Sequence, residues 1–461
     1  MNTQTESSGQ KPGRQQNSYM DPHGYVVRDN NSILRVLHPN SLAFYRDLLR
    51  NPAVNLLQAN GMLIAASQKE DADTVLHHPA IWPVTYATEW TPSALRDAGL
   101  LTLAIAEELA DEDLTLQDAT PFNVLFTKGR PIFVDFTSIV PRNPHILWKA
   151  QSQYEAFFQR PLLLASQGKG MAARHALSDP VGGLSEEEFL RHVSLSYRLV
   201  HPQEAMTRRV AHWIQSDAAR RKRFVEAVRT STHIPDKNLR KRYFRKLAAR
   251  LRSFNFPKSA DMWKDYYAEI PEWVDKQHKV AQIDALLRRM RPRTVVDIGA
   301  NTGIFSALAG SVAESIIAAE GSQSCTETIY AMAQSRALPI FPVCCNLISP
   351  PLPSGMLPGD YPSLWDRLRS ETTLCLGLMH HLHVSGRQPF ARIALMLNAL
   401  TEKSLIFENI APDDENVQRL DLLEPPRYEL EDVRQALGLH FSNIETLDSD
   451  RPTRKILLCQ K

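Results

Sequence analysis

One short segment, TVVDIGANTGIFS at residues 294–306, constrains the fold of this chain more than any other feature. It opens with the apolar pattern of a buried strand and runs into a turn that contains Gly299 and Gly303. Glycine lets the backbone of such a turn approach a ligand where a Cβ atom would clash. The helix that follows directs free N–H groups at the same place. The segment therefore predicts a ligand-binding strand, turn and helix.

Short apolar segments continue this pattern towards the C-terminus. Seven candidate strands alternate with helical stretches after residue 293. The first five are spaced for crossover helices, and the last two are close enough for an antiparallel hairpin. This spacing predicts an α/β fold with a mostly parallel, doubly wound sheet of seven strands. The candidate strands are 294–298, 315–319, 340–345, 373–378, 404–407, 441–447 and 455–459.

Two acids follow the first two of these strands. Asp297 closes the first strand, where it could bind a positively charged or hydroxyl-bearing group of a ligand. Glu320 closes the second, about twenty residues further on, where doubly wound folds place the carboxylate that accepts ribose hydroxyls. A nicotinamide-binding Rossmann domain is an alternative, although DIGANTG differs from the GxGxxG fingerprint. Glycines that merely end a strand are a further alternative.

The motif VVDIGANTG followed by AAEGS resembles the first two motifs of class I S-adenosylmethionine (SAM)-dependent methyltransferases. The resemblance implies a Rossmann-like domain over residues 276–461 with SAM as its cofactor. It also implies a role in cofactor binding for several residues of these motifs and of the third strand's end. These residues are Asp297, Gly299, Asn301 and Gly303 around the methionine and sugar, Glu320 on the ribose and Asn346 near the adenine. Asn346 stands where the family usually has an acid, but its amide offers both a donor and an acceptor.

The segment LGLMHHLH follows the fourth strand and brings two histidines to the ligand-binding edge of the sheet. A neutral histidine can remove a proton from a methyl acceptor near pH 7, which makes His380 and His381 candidate bases. The alternative is that they only shape the cofactor pocket. Amino-methylating enzymes usually carry an Asn/Asp-Pro-Pro-aromatic stretch here, and this chain does not. We therefore expect O-methylation of a small molecule or saccharide.

A second possible chemistry lies in LQDATPFNVLF and the following RPIFVDF. Phosphoryl transfer needs a carboxylate to orient a hydroxyl group, and Asn and Asp ligands for magnesium. The spacing resembles the catalytic loop and magnesium motif of protein kinase-like and aminoglycoside phosphotransferase-like enzymes, which implies Asp118 as base and Asn123 and Asp135 as metal ligands. Because no Gly-rich loop or strand lysine precedes Asp118, we expect a degenerate kinase-like α+β domain over 21–165. A bifunctional kinase and methyltransferase is the alternative.

The motifs of both halves together resemble a bacterial family related to the rhizobial host-specific nodulation protein NoeA. They include TEWTPSALRDAGLLTL, LQDATPFNVLF, RPIFVDFTSI and PDDENVQRL. The family implies tailoring of a secreted glycan or small metabolite, without defining the acceptor. A non-catalytic protein that retains SAM is a further alternative.

Bulk properties limit the remaining possibilities. With 461 residues, 43% of them hydrophobic, the chain is long enough for more than one core. We expect a disordered polar leader at 1–20 and a basic helical connector at 166–275. The net charge of +2 disfavours nucleic acid as a partner. The five cysteines fit neither a secretory framework nor a zinc site, and no segment approaches the ~20 apolar residues of a membrane span, so we expect a cytoplasmic location.

Overall fold

The computed structural model describes most of the chain as two compact units. The described residues are 13–14, 21–29, 32–68, 74–194, 197, 213–214, 216–230, 236–257, 273–353, 361–420 and 427–461. Apart from residues 13–14, the expected leader at 1–20 lies outside them. Unit 1 consists of Met1–Ala80, Leu95–Val124 and Ile132–Phe256, and unit 2 of Ile81–Ala94, Leu125–Pro131 and Pro257–Lys461.

Unit 1 begins with an antiparallel sheet of five short strands in the order β1-β2-β3-β5-β4. The strands are β1 (Gly13–Arg14), β2 (Gly24–Asp29), β3 (Ser32–Leu37), β4 (Ser67–Gln68) and β5 (Val75–Pro79). Two helices, α1 (Leu42–Leu48) and α2 (Pro52–Ala59), connect β3 to β4. Asn51 starts α2, since its side-chain oxygen accepts the N–H groups of Ala53 and Val54.

The rest of unit 1 is largely helical around a further pair of strands, β6 (Leu114–Leu116) and β9 (Ile139–Pro141). The paired strands β7 (Val124–Thr127) and β8 (Arg130–Phe133) begin and end in unit 1, but residues Leu125–Pro131 between these ends belong to unit 2. The helices are α3 (Pro92–Leu109), α4 (Gln151–Tyr154), α5 (Arg160–Ser166), α6 (Gly170–Ala176), α7 (Glu186–His192), α8 (Ala218–Thr230) and α9 (Lys237–Arg252). Helix α9 packs within this unit, because Arg240 donates to the carbonyl of Leu114 and Phe244 meets the edge of Trp148. Unit 1 thus combines helices and strands, and its kinase-like character stays a prediction.

Unit 2 is built on a seven-stranded sheet in the order β12-β11-β10-β13-β14-β16-β15. The strands are β10 (Thr294–Ile298), β11 (Ser315–Glu320), β12 (Ile340–Cys344), β13 (Ser370–Cys375), β14 (Thr401–Ile410), β15 (Asn443–Asp448) and β16 (Arg454–Gln460). The first five run parallel, and β16 is antiparallel to both β14 and β15. The predicted sheet of seven strands is confirmed. The insertion of β16 between β14 and β15 is a feature that strand spacing does not reveal.

Helices complete unit 2 around this sheet. They are α10 (Trp273–Met290), α11 (Ile304–Ala309), α12 (Gln323–Arg336), α13 (Leu364–Leu368), α14 (Phe390–Leu400), α15 (Glu415–Gln418) and α16 (Leu430–Gly438). Ile283 and Leu287 of α10 share one buried cluster with Val295 and Ile316 of the central strands. The central strands are apolar on both faces, as expected for a parallel sheet covered by helices. Within the described part of the chain, no helix is long and apolar enough to cross a membrane.

Two segments from the N-terminal half of the sequence belong to unit 2 and pack near its edge strand β12. The ring of Phe126 stacks on that of Phe341 in β12, with centroids 4.1 Å apart. Trp90 meets Phe126 edge-on at 5.0 Å. The buried carboxylate of Glu89 forms an ion pair with the buried guanidinium of Arg367. Unit 2 therefore depends on residues far upstream of its sheet.

Replacement of Phe126 tests this dependence. Phe126→Ala removes a buried ring and should destabilise unit 2 by about 3–5 kcal/mol. Hydrogen exchange of the β12 amides, followed by mass spectrometry, should become correspondingly faster. Phe224→Ala is the control, because Phe224 is exposed and its replacement should change stability by no more than ~0.5 kcal/mol. Unchanged exchange in β12 after Phe126→Ala would contradict the assignment of this segment to unit 2.

Candidate functional site

The turn between β10 and α11 has a backbone that only glycine can follow at two positions. Three residues lie in the left-handed region, Gly299 with φ +70°, Asn301 with +50° and Gly303 with +83°. A Cβ atom on Gly299 would lie 2.9 Å from a methyl group of Leu378. A Cβ atom on Gly303 would lie 2.9 Å from the side chain of Ile329. The turn is therefore tightly enclosed as well as left-handed.

Glu320, at the end of β11, holds this turn in place. Its Oε2 accepts the N–H of Asn301 at 2.8 Å, and its Oε1 accepts the N–H of Ser322 at 2.9 Å. A carboxylate can accept about four hydrogen bonds, so both oxygens keep capacity for the hydroxyl groups of a ligand. Four of the predicted cofactor residues, Gly299, Asn301, Gly303 and Glu320, are thus brought together.

Asp297 lies within β10 immediately before the turn and is 2% exposed. Its Oδ2 accepts the hydroxyl of Ser306, from α11, at 2.6 Å. Burial raises the pKa of Asp297 to about 6, against the opposing effect of the Ser306 hydrogen bond. The carboxylate is consequently charged at neutral pH but becomes protonated only slightly below it.

Asn346, the predicted adenine contact, follows the end of β12 in an exposed turn. Its Oδ1 accepts the N–H of Ile348 at 3.0 Å, so this oxygen already serves the turn itself. Since β12 is separated from β10 by β11, Asn346 belongs to the outer part of the sheet's carboxyl edge. Its role at the adenine stays a prediction.

The two histidines lie beyond β13, whose end differs from the prediction. The strand ends at Cys375 rather than at residue 378, because Gly377 adopts φ +67° and turns the chain. His380 is 2% exposed, and burial lowers its pKa to about 3. Burial also lowers the pKa of the partly exposed His381. Both are neutral at pH 7, but a base with a pKa far below the working pH is weak, which favours His381 over His380.

A buried ion pair at this edge was not apparent from the sequence. Lys279 of α10 places Nζ 2.5 Å from Oε2 of Glu408, which is 0% exposed in β14. The same Oε2 accepts the N–H of Gly377 at 2.7 Å, and Oε1 accepts the hydroxyl of Ser449 at 3.1 Å. Burial alone would raise the pKa of Glu408, but the charge of Lys279 outweighs it and holds that pKa below its usual range. Glu408 therefore ties α10 to the loop that carries the histidines.

The order of the strands explains why these residues converge. The chain places β11 and β12 on one side of β10 and then returns to place β13 on the other. In open α/β sheets, a ligand crevice generally forms at such a reversal, at the carboxyl ends of the strands. The glycine turn and the histidine loop follow two strands that pair directly, β10 and β13, so both lie at this edge of the sheet.

The three residues proposed for phosphoryl transfer lie in unit 1. Asp118 follows β6, and burial raises its pKa with a further contribution from the charge of Asp135. The Nδ2 group of Asn123 is buried without a hydrogen-bond partner among the described residues. Asp135 is engaged by Arg35, whose Nη2 lies 3.1 Å from its Oδ1. Within the described ranges, no group of three or more His, Cys, Asp and Glu side chains is arranged to hold a metal ion.

Comparison with known proteins gives one relative along most of the chain. The sequence is 26% identical over 440 residues to nodulation protein NoeA of Rhizobium meliloti (strain 1021), covering 89% of this chain and 87% of that protein. The chain resembles NoeA. No protein-family model matches it.

Solved structures similar to parts of the chain include several methyltransferases. Magnesium protoporphyrin IX methyltransferase from Synechocystis PCC 6803 with bound SAH has a TM-score of 0.30 and 16% identity, covering 41% of this chain and 84% of its own. A SAM-dependent methyltransferase from Clostridium acetobutylicum ATCC 824 has a TM-score of 0.32 and 12% identity, covering 43% and 96%. N-methyltransferase NodS from Bradyrhizobium japonicum WM9 has a TM-score of 0.30 and 9% identity, covering 41% and 97%.

Gly303→Ala tests the strained turn. The left-handed backbone alone should cost about 1–2 kcal/mol, and the contact with Ile329 adds to it. Thermal unfolding should show a lower midpoint, with faster hydrogen exchange in α11. Gly438→Ala is the matched control, because a Cβ there meets nothing within 4 Å. Equal stability of the two variants would contradict this account of the turn.

Lys279→Met tests the buried ion pair. The change leaves the Glu408 carboxylate buried without its cation, which should cost about 3–5 kcal/mol. The double variant Lys279→Met/Glu408→Gln removes both charges and should recover much of that loss. The thermal unfolding midpoints of the single and double variants measure the difference. A double variant that is no more stable than Lys279→Met would contradict the assigned pairing.

Proposed function

We propose that this protein is a SAM-dependent methyltransferase that transfers a methyl group to an oxygen atom of a small molecule or saccharide. One observation carries the proposal: the left-handed glycine turn after β10 is fixed by the carboxylate of Glu320 beside the reversal in strand order. A crevice at that reversal is where open α/β sheets bind nucleotide-like ligands.

The residues at the crevice fit the chemical groups of SAM. Gly299 and Gly303 hold the turn in its left-handed conformation, and Glu320 keeps acceptor capacity for the two ribose hydroxyls. Asp297 offers a carboxylate to the ammonium group of the methionine portion. When bound, SAM supplies a methyl group that its sulfonium activates for transfer. Its adenine would lie towards the end of β12 and Asn346.

The histidine loop supplies the proton acceptor that O-methylation requires. A hydroxyl group becomes a good nucleophile when a positioned base accepts its proton. His381 is partly exposed and neutral at pH 7, so it can take the proton of an acceptor hydroxyl. His380 is the second candidate, although its burial makes it the weaker base. A packing role for both histidines is the alternative.

The similarity to NoeA supports an acceptor of the kind that its name suggests. That relative is named a nodulation protein, and we propose for the present chain the tailoring of a secreted glycan or small metabolite that the resemblance to its family implies. The cytoplasm is the proposed location, supported by the five cysteines, all of them described, buried and outside any disulfide. A non-catalytic SAM-binding protein and a bifunctional kinase remain the competing functions. Titration with ATP and magnesium separates the second of these from a methyltransferase alone.

Calorimetric titration with SAM, using wild type and Asp297→Asn, tests the proposed site. Loss of the charged hydrogen bond to the ligand's ammonium should weaken binding about 10–100-fold. Asp413→Asn is the control, because Asp413 is exposed on a neighbouring loop and should leave the affinity unchanged. Equal affinity of wild type and Asp297→Asn would reject the assignment, and no SAM binding by wild type would reject the function.

The role proposed for Asp297 also predicts how SAM affinity changes with pH. Burial raises the pKa of Asp297 to about 6, and only its charged form attracts an ammonium group. SAM affinity should therefore be highest near pH ~7, where both groups are charged, and fall below pH ~6, approaching about tenfold per pH unit. Asp297→Asn should remove this dependence. A wild-type affinity that stays constant down to pH ~5 would contradict the role given to the carboxylate.

A further inference from the structure

Unit 1 contains a cluster of charges that the proposed methyl transfer does not use. Arg35 of β3 is 7% exposed, and its Nη1 donates to Oδ2 of Asp21 at 2.7 Å. Its Nη2 lies 3.1 Å from Oδ1 of Asp135. The hydroxyl of Thr137 also accepts from Nη1 and lies 2.6 Å from Asp21 Oδ2 and 3.0 Å from Asp135 Oδ1. Two carboxylates thus share a single guanidinium and a single hydroxyl group.

The two carboxylates of this cluster need a nearby positive charge to lie so close together. Thr137 has one hydroxyl hydrogen, so it can donate to only one of the two carboxylates at a time. Burial raises the pKa of Asp135, and the negative charge of Asp21 adds to this effect, whereas the charge of Arg35 opposes it. Arg35 is the group that lets two acids lie this close together. Its guanidinium cannot lose its proton, so the compensation is permanent.

We infer that Arg35 is a built-in cation that takes the place of a divalent metal ion between Asp21 and Asp135. A calcium or magnesium ion would need carboxylate oxygens at roughly 2.0–2.6 Å. Asp21 Oδ2 and Asp135 Oδ1, the oxygens that could bridge such an ion, already accept from the guanidinium. A metal ion could bridge these two oxygens only by displacing Arg35, which would leave a buried, unpaired positive charge.

This inference is independent of the proposed methyltransferase function and concerns the other unit. The sequence predicts Asp135 as a magnesium ligand, but in the structure Asp135 forms an ion pair with Arg35. The neighbouring backbone supports the arrangement, because the hydroxyl of Tyr45 donates to the carbonyl of Thr137 at 2.7 Å. The wild-type side chains therefore oppose a metal ion held jointly by Asp21 and Asp135, and exchange of Arg35 should create a metal site.

The test is Mn²⁺ binding to the full-length protein, measured from the electron paramagnetic resonance signal of free Mn²⁺. Wild type should show no saturable binding in unit 1 up to about 1 mM, the weak end of protein sites for hard cations. Arg35→Met removes the charge while keeping much of the volume. This variant should bind one Mn²⁺ per chain, at least about tenfold more tightly than the ~1 mM limit set for wild type. Arg35→Lys keeps the positive charge and should not bind. Arg35→Met/Asp135→Asn should lose the gained site.

Circular dichroism establishes which variants are folded, and Arg35→Gln replaces Arg35→Met if the latter does not fold. A folded, uncharged variant that fails to bind Mn²⁺ would overturn the inference. Saturable Mn²⁺ binding by wild type that Asp135→Asn abolishes would overturn it as well, whatever the Arg35 variants do. Because none of these measurements involves SAM, they succeed or fail separately from the titrations of unit 2.

Discussion

The reversal of strand order beside β10 is the constraint on which the candidate site of unit 2 depends. The first five strands are parallel, so their carboxyl ends meet at one edge of the sheet. Asp297, Glu320 and the histidine loop lie at or just after the ends of three of these strands. Residues that are up to about eighty positions apart in sequence become neighbours of one crevice for that reason alone. The chemistry of the unit follows from where its strands end.

Among the described residues, the carboxylates near the two candidate sites differ in whether an internal cation neutralises them. The buried Glu408 is paired with Lys279, and the partly exposed Asp135 is paired with Arg35. Asp297 is held by Ser306, and no ion pair to it forms within the described part of the chain. Its pKa is accordingly raised, whereas that of Glu408 is lowered. A buried carboxylate that lacks a cation of its own, near the carboxyl end of a central parallel strand, suits the proposed binding of a ligand that brings a positive charge.

The sequence predicts the local elements of unit 2 well and the long-range contacts poorly. Each strand carries its own apolar signal, so all seven are predicted, with ends that differ by a few residues. The position of β16 depends on pairing with β14 over some forty intervening residues, which no local pattern encodes. Lys279 lies among other polar residues of α10, and nothing in its neighbours distinguishes a buried lysine from an exposed one. Glu320 and the glycines are recognisable because strand, turn and acid follow each other closely.

Arg35 illustrates the same limit in unit 1. It lies in the strand SILRVL, where alternation gives no sign of which face is buried, and an inward arginine looks like any edge-strand charge. Because it is an arginine, it does not match the strand lysine expected ahead of Asp118 in kinase-like enzymes. Only the fold brings it against Asp21 and Asp135, which lie on either side of it in the sequence.

The path of the chain indicates that the proposed methyl transfer requires residues outside the last third of the sequence. The chain passes between the two units at 80–81, 94–95, 124–125, 131–132 and 256–257. A fragment of 276–461 alone would lack Glu89 and Phe126, leaving the guanidinium of Arg367 buried without its carboxylate and the ring of Phe341 without its stacking partner. Unpaired buried charge and exposed aromatic area both oppose folding.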